Sequence, residues 1–74
     1  SGNDIIEEGV MMGSASTVIQ GKRIGKGSTV GAGAVVIDNI DSYSTVVGVP
    51  AKVIKVDYER REREYEEGLI CNNC

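Results

Sequence analysis

Few side chains in this sequence are equipped for chemistry, and histidine is absent from its 74 residues. The most reactive groups are Cys71 and Cys74, whose Cys-x-x-Cys spacing is used in zinc sites and in thiol–disulfide exchange. A closed zinc site takes four ligands, and this pair supplies two. We therefore interpret the pair as part of a frayed C-terminal tail, the alternative being thiolates gathered from several copies of the chain. The sequence predicts no catalytic residue and no metal site of its own.

The charge distribution limits the class of partner. The formal net charge is −3, and the deficit lies in residues 57–74, where three arginines accompany six acidic residues. Residues 1–56 are balanced, with five basic and five acidic side chains. The aromatic residues are three tyrosines, too few to form a platform on which bases stack. We expect no nucleic-acid partner.

Apolar patterning and cysteine placement predict the setting of the protein. No apolar run reaches the roughly 18 residues that a membrane span needs, and no basic segment leads into an apolar one, so neither a membrane partner nor a signal peptide is expected. Both cysteines fall in the last four residues rather than being spread to staple loops. That placement predicts a reducing, cytoplasmic environment.

A six-residue repeat is the feature that must position any functional group. Read in sixes, the chain places an apolar residue at the first position of each unit: Ile6, Met12, Val18, Ile24, Val30 and Val36. A second track follows three residues later, in which all members but one are Gly or Asn: Asn3, Gly9, Ala15, Gly21, Gly27, Gly33 and Asn39. Neither the 3.6-residue period of a helix nor the two-residue period of an ordinary strand explains this double pattern.

The repeat predicts short strands joined by tight corners. Each apolar residue points inward from a strand, and each Gly or Asn turns the chain at positive φ, the conformation those residues adopt at least cost. Three sides close a coil of eighteen residues, so Ile6 is expected to stack on Ile24 and likewise along the track. We predict positive φ at five corners: Gly9, Gly21, Gly27, Gly33 and Asn39. Ala15 occupies a corner where its Cβ would be strained.

The segment after residue 41 departs from the repeat. Residues 42–56 are predicted to form a closing strand and a Gly-Val-Pro-Ala-Lys segment, following the hexapeptide-repeat coils of residues 1–41. Asp57 is a suitable N-cap, and residues 57–74 are predicted to form a helix ending at Gly68 and a tail. Ion pairs at i,i+4 spacing are expected along this helix, between Glu59 and Arg63 and between Arg60 and Glu64.

Two stretches carry a resemblance to a known family. IGKGSTVGAGAVVIDNID followed by VVGVPAKVI resembles the closing segment of hexapeptide-repeat sugar acetyltransferases of the sialic-acid O-acetyltransferase and bacillosamine N-acetyltransferase type. The resemblance covers residues 1 to about 55. It implies an all-β fold, a left-handed parallel β-helix of about two coils, followed here by the short strand and the C-terminal α-helix.

The resemblance also implies a function. The family members are homotrimers that bind acetyl-CoA between adjacent β-helices and transfer the acetyl group to a sugar or nucleotide-sugar hydroxyl or amine. The general base is a histidine, which the family places upstream of the residues seen here. By position, Ser14 and Ala32 correspond to residues whose backbone contacts acetyl-CoA. Lys52 is a candidate for binding a CoA phosphate.

Two alternatives follow from the same fold. A non-catalytic β-helix module for trimerisation or partner binding would need neither histidine nor CoA. A γ-class carbonic anhydrase shares the fold but requires histidine ligands, which this sequence lacks. In either case two coils bury little apolar surface, and solenoids need about three repeats to be stable, so we expect a longer solenoid or an oligomer.

Overall fold

Short strands follow one another at the predicted six-residue interval. The computed structural model describes the backbone of residues 3–72 and the side chains of residues 3–67. Six two-residue strands come first: β1 (Ile5–Ile6), β2 (Met11–Met12), β3 (Thr17–Val18), β4 (Arg23–Ile24), β5 (Thr29–Val30) and β6 (Val35–Val36). Three longer elements follow: β7 (Ser44–Val47), β8 (Lys52–Val56) and the helix α1 (Tyr58–Asn72).

The strands lie in three stacks that the chain visits in turn, and all pairings except that of β8 are parallel. β1 pairs with β4 and β3 with β6, while β2, β5, β7 and β8 form a four-stranded sheet. The pairing register confirms the predicted eighteen-residue stacking, because Ile6 is opposite Ile24 and Val18 is opposite Val36. We call β1–β3 the first layer, β4–β6 the second, and the chain from Ile40 through β7 the third.

The core is the inward apolar track of the second and third layers. Ile24, Val30, Val36 and Val46 are fully buried. Of the equivalent first-layer side chains, Val18 is also buried, whereas Ile6 and Met12 are 45% and 40% exposed. Ile6 and Met12 are exposed because their strands, β1 and β2, each have a neighbouring strand on one side only.

The third layer is two residues shorter than the others. Ile24 follows Val18 by six residues, but Ile40, which bridges to Ile24, follows Val36 by four. The corner predicted at Asn39 is therefore not formed as a glycine-type corner. Asn39 does not have positive φ, and its side-chain oxygen accepts a hydrogen bond from the Arg23 N–H at 2.9 Å. The prediction was wrong for this residue.

The remaining predicted corners are confirmed. Positive φ occurs at Gly9, Gly21, Gly27 and Gly33, and Ala15 adopts it as well, with φ of 58°. Adjacent layers are joined through these corners, as in the hydrogen bond from the Gly27 N–H to the Glu8 carbonyl at 3.0 Å.

Tyr43 forms a corner that the repeat did not predict. Its φ of 56° places it in the left-handed region, and its ring lies directly against Gly27 of the layer below. A Cβ on Gly27 would overlap the Cδ1 and Cε1 atoms of that ring. At this corner the third layer therefore has a buried aromatic residue in place of glycine. The second layer has glycine there because the ring leaves no room for a Cβ.

The coil ends in an antiparallel pair. β8 returns alongside β7, with Lys55 opposite Thr45 and Lys52 opposite Val47. The intervening loop lies along β6, because the Ala51 N–H donates to the Val35 carbonyl at 2.8 Å. The sequence predicted one closing strand in residues 42–56, and the structure has two.

The helix α1 begins as predicted and extends further. The Asp57 carboxylate accepts a hydrogen bond from the Arg60 N–H at 3.0 Å, which is N-cap geometry. The helix passes through Gly68 to Asn72, so the predicted end was wrong; one interior glycine costs only about 1 kcal/mol. Cys71 therefore lies within the helix bounds rather than in a tail, and Cys74 lies outside the described residues. Among residues 3–72, no helix is long and apolar enough to cross a membrane.

The contact between Tyr43 and Gly27 can be tested with matched glycine substitutions. Gly27→Ala and Gly21→Ala both place a Cβ at positive φ, which costs about 1–2 kcal/mol. Only the Gly27 variant also meets the Tyr43 ring, since nothing lies within 4 Å of a Cβ on Gly21. Gly27→Ala should lower the free energy of unfolding by roughly 1–3 kcal/mol more than Gly21→Ala. Urea unfolding at one fixed protein concentration measures this difference, and equal losses would contradict the packing described.

Candidate functional site

Two of the predicted site residues lie at one corner. Ser14 and Ala32 occupy equivalent positions in the first and second layers, and the Gly33 N–H joins the layers by donating to the Ser14 carbonyl at 2.8 Å. Both residues are exposed. A Cβ on Gly13 would overlap the Ala32 amide, so the two backbones approach closely because Gly13 has no side chain. The result is a flat wall of small residues.

Lys52, the third predicted site residue, lies in β8, outside the three layers. It begins β8 and is paired with Val47, whose side chain in turn packs against Gly31. Lys52 is exposed. The structure thus places Ser14 and Ala32 together, and Lys52 lies in β8, two strands away from β5 in the same sheet.

A second cluster joins α1 to the coil and was missed by the sequence analysis. The Tyr43 hydroxyl donates a hydrogen bond to the Glu64 carboxylate, and the Lys26 ammonium lies 3.2 Å from the other oxygen of that carboxylate. Glu64 therefore does not pair with Arg60 as predicted. The Arg60 guanidinium instead lies 4.9 Å from the centre of the Tyr43 ring. The predicted Glu59–Arg63 pair is confirmed at 2.7 Å.

The electrostatics of this cluster indicate that it attaches α1 to the coil rather than exchanging protons. We call Lys26, Tyr43 and Glu64 the clamp. The hydrogen bond from Tyr43, assisted by Lys26, lowers the pKa of Glu64. The same hydrogen bond raises the pKa of Tyr43, and the Glu64 carboxylate raises the pKa of Lys26. Each group is thereby held in the protonation state that it already has at neutral pH. None is tuned to exchange a proton there.

Arg61 is the second polar attachment of α1. Its Nε donates to the Ser42 carbonyl at 3.1 Å, and its Nη2 lies 3.3 Å from the Ser44 hydroxyl. These bonds hold the backbone on both sides of the Tyr43 corner. The aromatic residues of the helix, Tyr58 and Tyr65, are both exposed. Polar contacts therefore hold the described part of α1 against the coil.

Two cavities flank the Tyr43 ring. One, of about 170 Å³, is lined by Lys26, Tyr43, Arg60, Arg63, Glu64 and Glu67. The other, of about 160 Å³, is lined by Gly27, Thr29, Tyr43, Thr45, Lys55, Asp57 and Arg60. Within the part of the chain that the structure describes, no three His, Cys, Asp or Glu side chains are grouped so as to hold a metal ion.

Known proteins with a similar sequence and fold are acetyltransferases. The chain is 42% identical over 60 residues to a 2,3,4,5-tetrahydropyridine-2,6-dicarboxylate N-acetyltransferase of Clostridium perfringens, covering 80% of this chain and 25% of that protein. Galactoside acetyltransferase in complex with coenzyme A superimposes with a TM-score of 0.72 at 32% identity, over 80% of this chain and 30% of that one. Serine acetyltransferase in complex with cysteine gives 0.71 at 33% identity, over 73% and 21%.

The extent of these matches is partial. The chain spans about a quarter of the length of the curated relatives it matches. No family model matches it.

The clamp predicts a specific pH dependence. Because the pKa of Glu64 is lowered below its ordinary value of 4.5, its contribution to stability is complete above that pH and is lost as the pH falls through the folded-state pKa. Glu64→Gln should therefore lower the free energy of unfolding at pH 7 and have a smaller effect at pH 3. Glu62→Gln, on an exposed face of the same helix, is the control and should change stability little at pH 7. Equal effects of Glu64→Gln at both pH values would contradict the clamp.

Proposed function

This chain belongs to the hexapeptide-repeat acetyltransferase family, and we propose that it is the C-terminal part of an acetyl-CoA-dependent acetyltransferase. The observation that carries the proposal is the similarity of its coils and closing strands to galactoside acetyltransferase in complex with coenzyme A. We propose a sugar or nucleotide-sugar as the acceptor, with a hydroxyl or an amine as the attacking group. The proposed coil is left-handed, as the family resemblance implies.

The proposed cofactor site is the wall formed by Ser14 and Ala32. Small exposed side chains in register across two layers let the pantetheine arm lie flat along the coil, within reach of backbone polar groups. Gly33, the corner glycine beside Ala32, has nothing within 4 Å of the position that a Cβ would take, so the backbone there is open to a ligand. Lys52, exposed at the start of β8, is the proposed partner of a CoA phosphate.

The proposed reaction is direct acetyl transfer. The acceptor loses its proton to a general base and attacks the thioester carbon, the carbon–sulfur bond breaks, and the CoA thiolate leaves and takes up a proton. Because the 74 residues contain no histidine, we propose that the histidine base belongs to a part of the protein beyond them. Tyr43 and Glu64 do not suit this role, since their mutual hydrogen bond moves both pKa values away from neutrality.

The proposed assembly is a homotrimer with the acetyl-CoA groove between adjacent copies. Exposed apolar side chains near the end of the coil are consistent with association: Val49 is 72%, Val53 52% and Ile54 64% exposed. A cytoplasmic location remains a prediction from the placement of the cysteines.

A second candidate is a non-catalytic β-helix module for trimerisation or partner binding. The exposed apolar side chains of β8, Val53 and Ile54, suit a contact surface of this kind. Isothermal titration of the full-length protein with CoA separates the two functions, because only the acetyltransferase requires a CoA site.

The cofactor wall can be tested by filling it. Ala32→Trp should raise the KM for acetyl-CoA by about tenfold or more, equivalent to at least about 1.4 kcal/mol of binding, with the acceptor KM little changed. The matched control is Gln20→Trp, an exposed residue that also precedes a corner glycine but lies at a different corner. If Ala32→Trp left acetyl-CoA kinetics unchanged in a folded protein, the wall would not be the cofactor site.

The need for a partner surface can be tested on the segment alone. Residues 1–74 in isolation should be trimeric or largely unfolded, because the first-layer side chains Ile6 and Met12 and the patch near Ile54 remain exposed in a single copy. Sedimentation velocity with circular dichroism measures both properties. A stable folded monomer would contradict the expectation.

A further inference from the structure

We propose that the cavity between α1 and the outer face of the four-stranded sheet is a binding site for a phosphate group. This cavity, which we call the α1 cleft, has a volume of about 160 Å³ and is lined by Gly27, Thr29, Tyr43, Thr45, Lys55, Asp57 and Arg60. It lies outside the Ser14–Ala32 wall, and the proposal goes beyond the acetyltransferase function.

One side of the α1 cleft is a row of hydrogen-bond donors. Thr29 is paired with Thr45, and Thr45 with Lys55, so these side chains stand next to one another across β5, β7 and β8. Thr29 and Thr45 point outward, because their chain neighbours Val30 and Val46 are buried in the core, and Lys55 is itself exposed. At a strand spacing of about 4.8 Å, adjacent members of the row can contact one small ligand. Two hydroxyls and an ammonium suit an anion with several oxygen atoms.

The opposite side is the Arg60 guanidinium from the first turn of α1. Its carbon atom lies 4.9 Å from the centre of the Tyr43 ring, a cation–π contact that restricts where the guanidinium can move. A guanidinium can donate two parallel hydrogen bonds to a phosphate. The ring itself can lie flat because Gly27 beneath it has no Cβ.

The charges in the α1 cleft leave a positive excess. Lys55 and Arg60 face one carboxylate, Asp57, which already accepts the Arg60 N–H at 3.0 Å as the helix cap. On the far side of the Tyr43 ring, Lys26 and Glu64 largely neutralise each other at 3.2 Å. The proposal therefore rests on side-chain cations and hydroxyls, and the capped amides of the helix are not needed for it.

The α1 cleft is large enough for a phosphate group. At about 30 Å³ per water in the liquid, its volume of about 160 Å³ corresponds to roughly five waters, so a tetrahedral oxyanion can enter with water beside it. Free phosphate and the phosphate of a larger ligand present the same chemistry to these residues.

The α1 cleft is separate from the proposed cofactor wall. Thr29 and Ala32 are three residues apart along an extended segment, roughly 10 Å at 3.3 Å per residue. They lie towards different corners, those of Gly27 and Gly33 respectively. Because Arg60 comes from α1 and Lys55 from β8, a phosphate bound between them should also hold the helix against the sheet.

The experiment is a titration of the full-length protein with inorganic phosphate, followed by NMR at constant ionic strength maintained with sodium chloride. Saturable shifts are expected for the unchanged protein. Lys55→Gln and Arg60→Gln should each weaken phosphate binding by about tenfold or more, the effect of losing one charged hydrogen bond. Lys22→Gln, which removes a lysine from a different face, should leave the affinity unchanged. Thr45→Val, which alters no charge, should weaken binding less than either charge substitution.

Hydrogen exchange of the α1 amides distinguishes the loss of the phosphate site from an undocked or unfolded helix. Phosphate should slow exchange in α1 of the unchanged protein and of Lys22→Gln, and should not do so in Lys55→Gln with the helix still docked. Shifts that do not saturate, or equal weakening by Lys22→Gln, would overturn the proposal. Competition by CoA but not by 3′-dephospho-CoA would identify the cofactor as the source of the phosphate, and simultaneous binding would identify a separate one. Retained CoA binding in Arg60→Gln would separate this site from the proposed wall.

Discussion

The contact of the Tyr43 ring with Gly27 is the constraint on which the C-terminal half of the structure depends. The ring can occupy a corner only because the layer beneath it has a glycine there. Once it does, its hydroxyl reaches Glu64 and its face receives Arg60. Arg61 then binds the carbonyl of Ser42 next to the same corner. The helix has few apolar groups to offer, so its position follows from this one aromatic residue.

The fold of residues 5–36 could be predicted because the relevant information is local and repeated. Each corner requires a backbone conformation that Gly reaches easily, and each strand requires one apolar residue, so the spacing alone predicts which strands pair. The prediction failed at Asn39. Its residue type suits a corner, but the third layer is two residues shorter than the others, and only the strand register shows this. No feature of the sequence near Tyr43 marks it as a corner residue. Tyr43 can occupy this corner only because Gly27, sixteen residues earlier, leaves room for its ring.

The candidate sites differ in the same way, since some follow the repeat and others combine elements that it does not relate. The proximity of Ser14 and Ala32 follows from their eighteen-residue separation, and their proposed role in cofactor binding rests on the family resemblance. Lys52 was identified from a motif, and its link to the same wall remains a proposal, since it lies in β8 beside Val47. The α1 cleft could not be foreseen, because β5, β7, β8 and α1 contribute to it with no common period. The pairing predicted for Arg60 failed since the nearby ring offers this cation a better position than an exposed ion pair.

The shortened third layer has a consequence for growth of the solenoid. A regular turn presents an edge that matches another regular turn, so two such ends could join and propagate into a fibre. Here the perimeter tapers by two residues between Val36 and Ile40, and the antiparallel β8 with its irregular register then runs along the outer strand. A regular eighteen-residue turn therefore has no edge of matching length to pair with at this end. The taper thus acts as a terminator, stopping the repeat from extending by stacking on another copy.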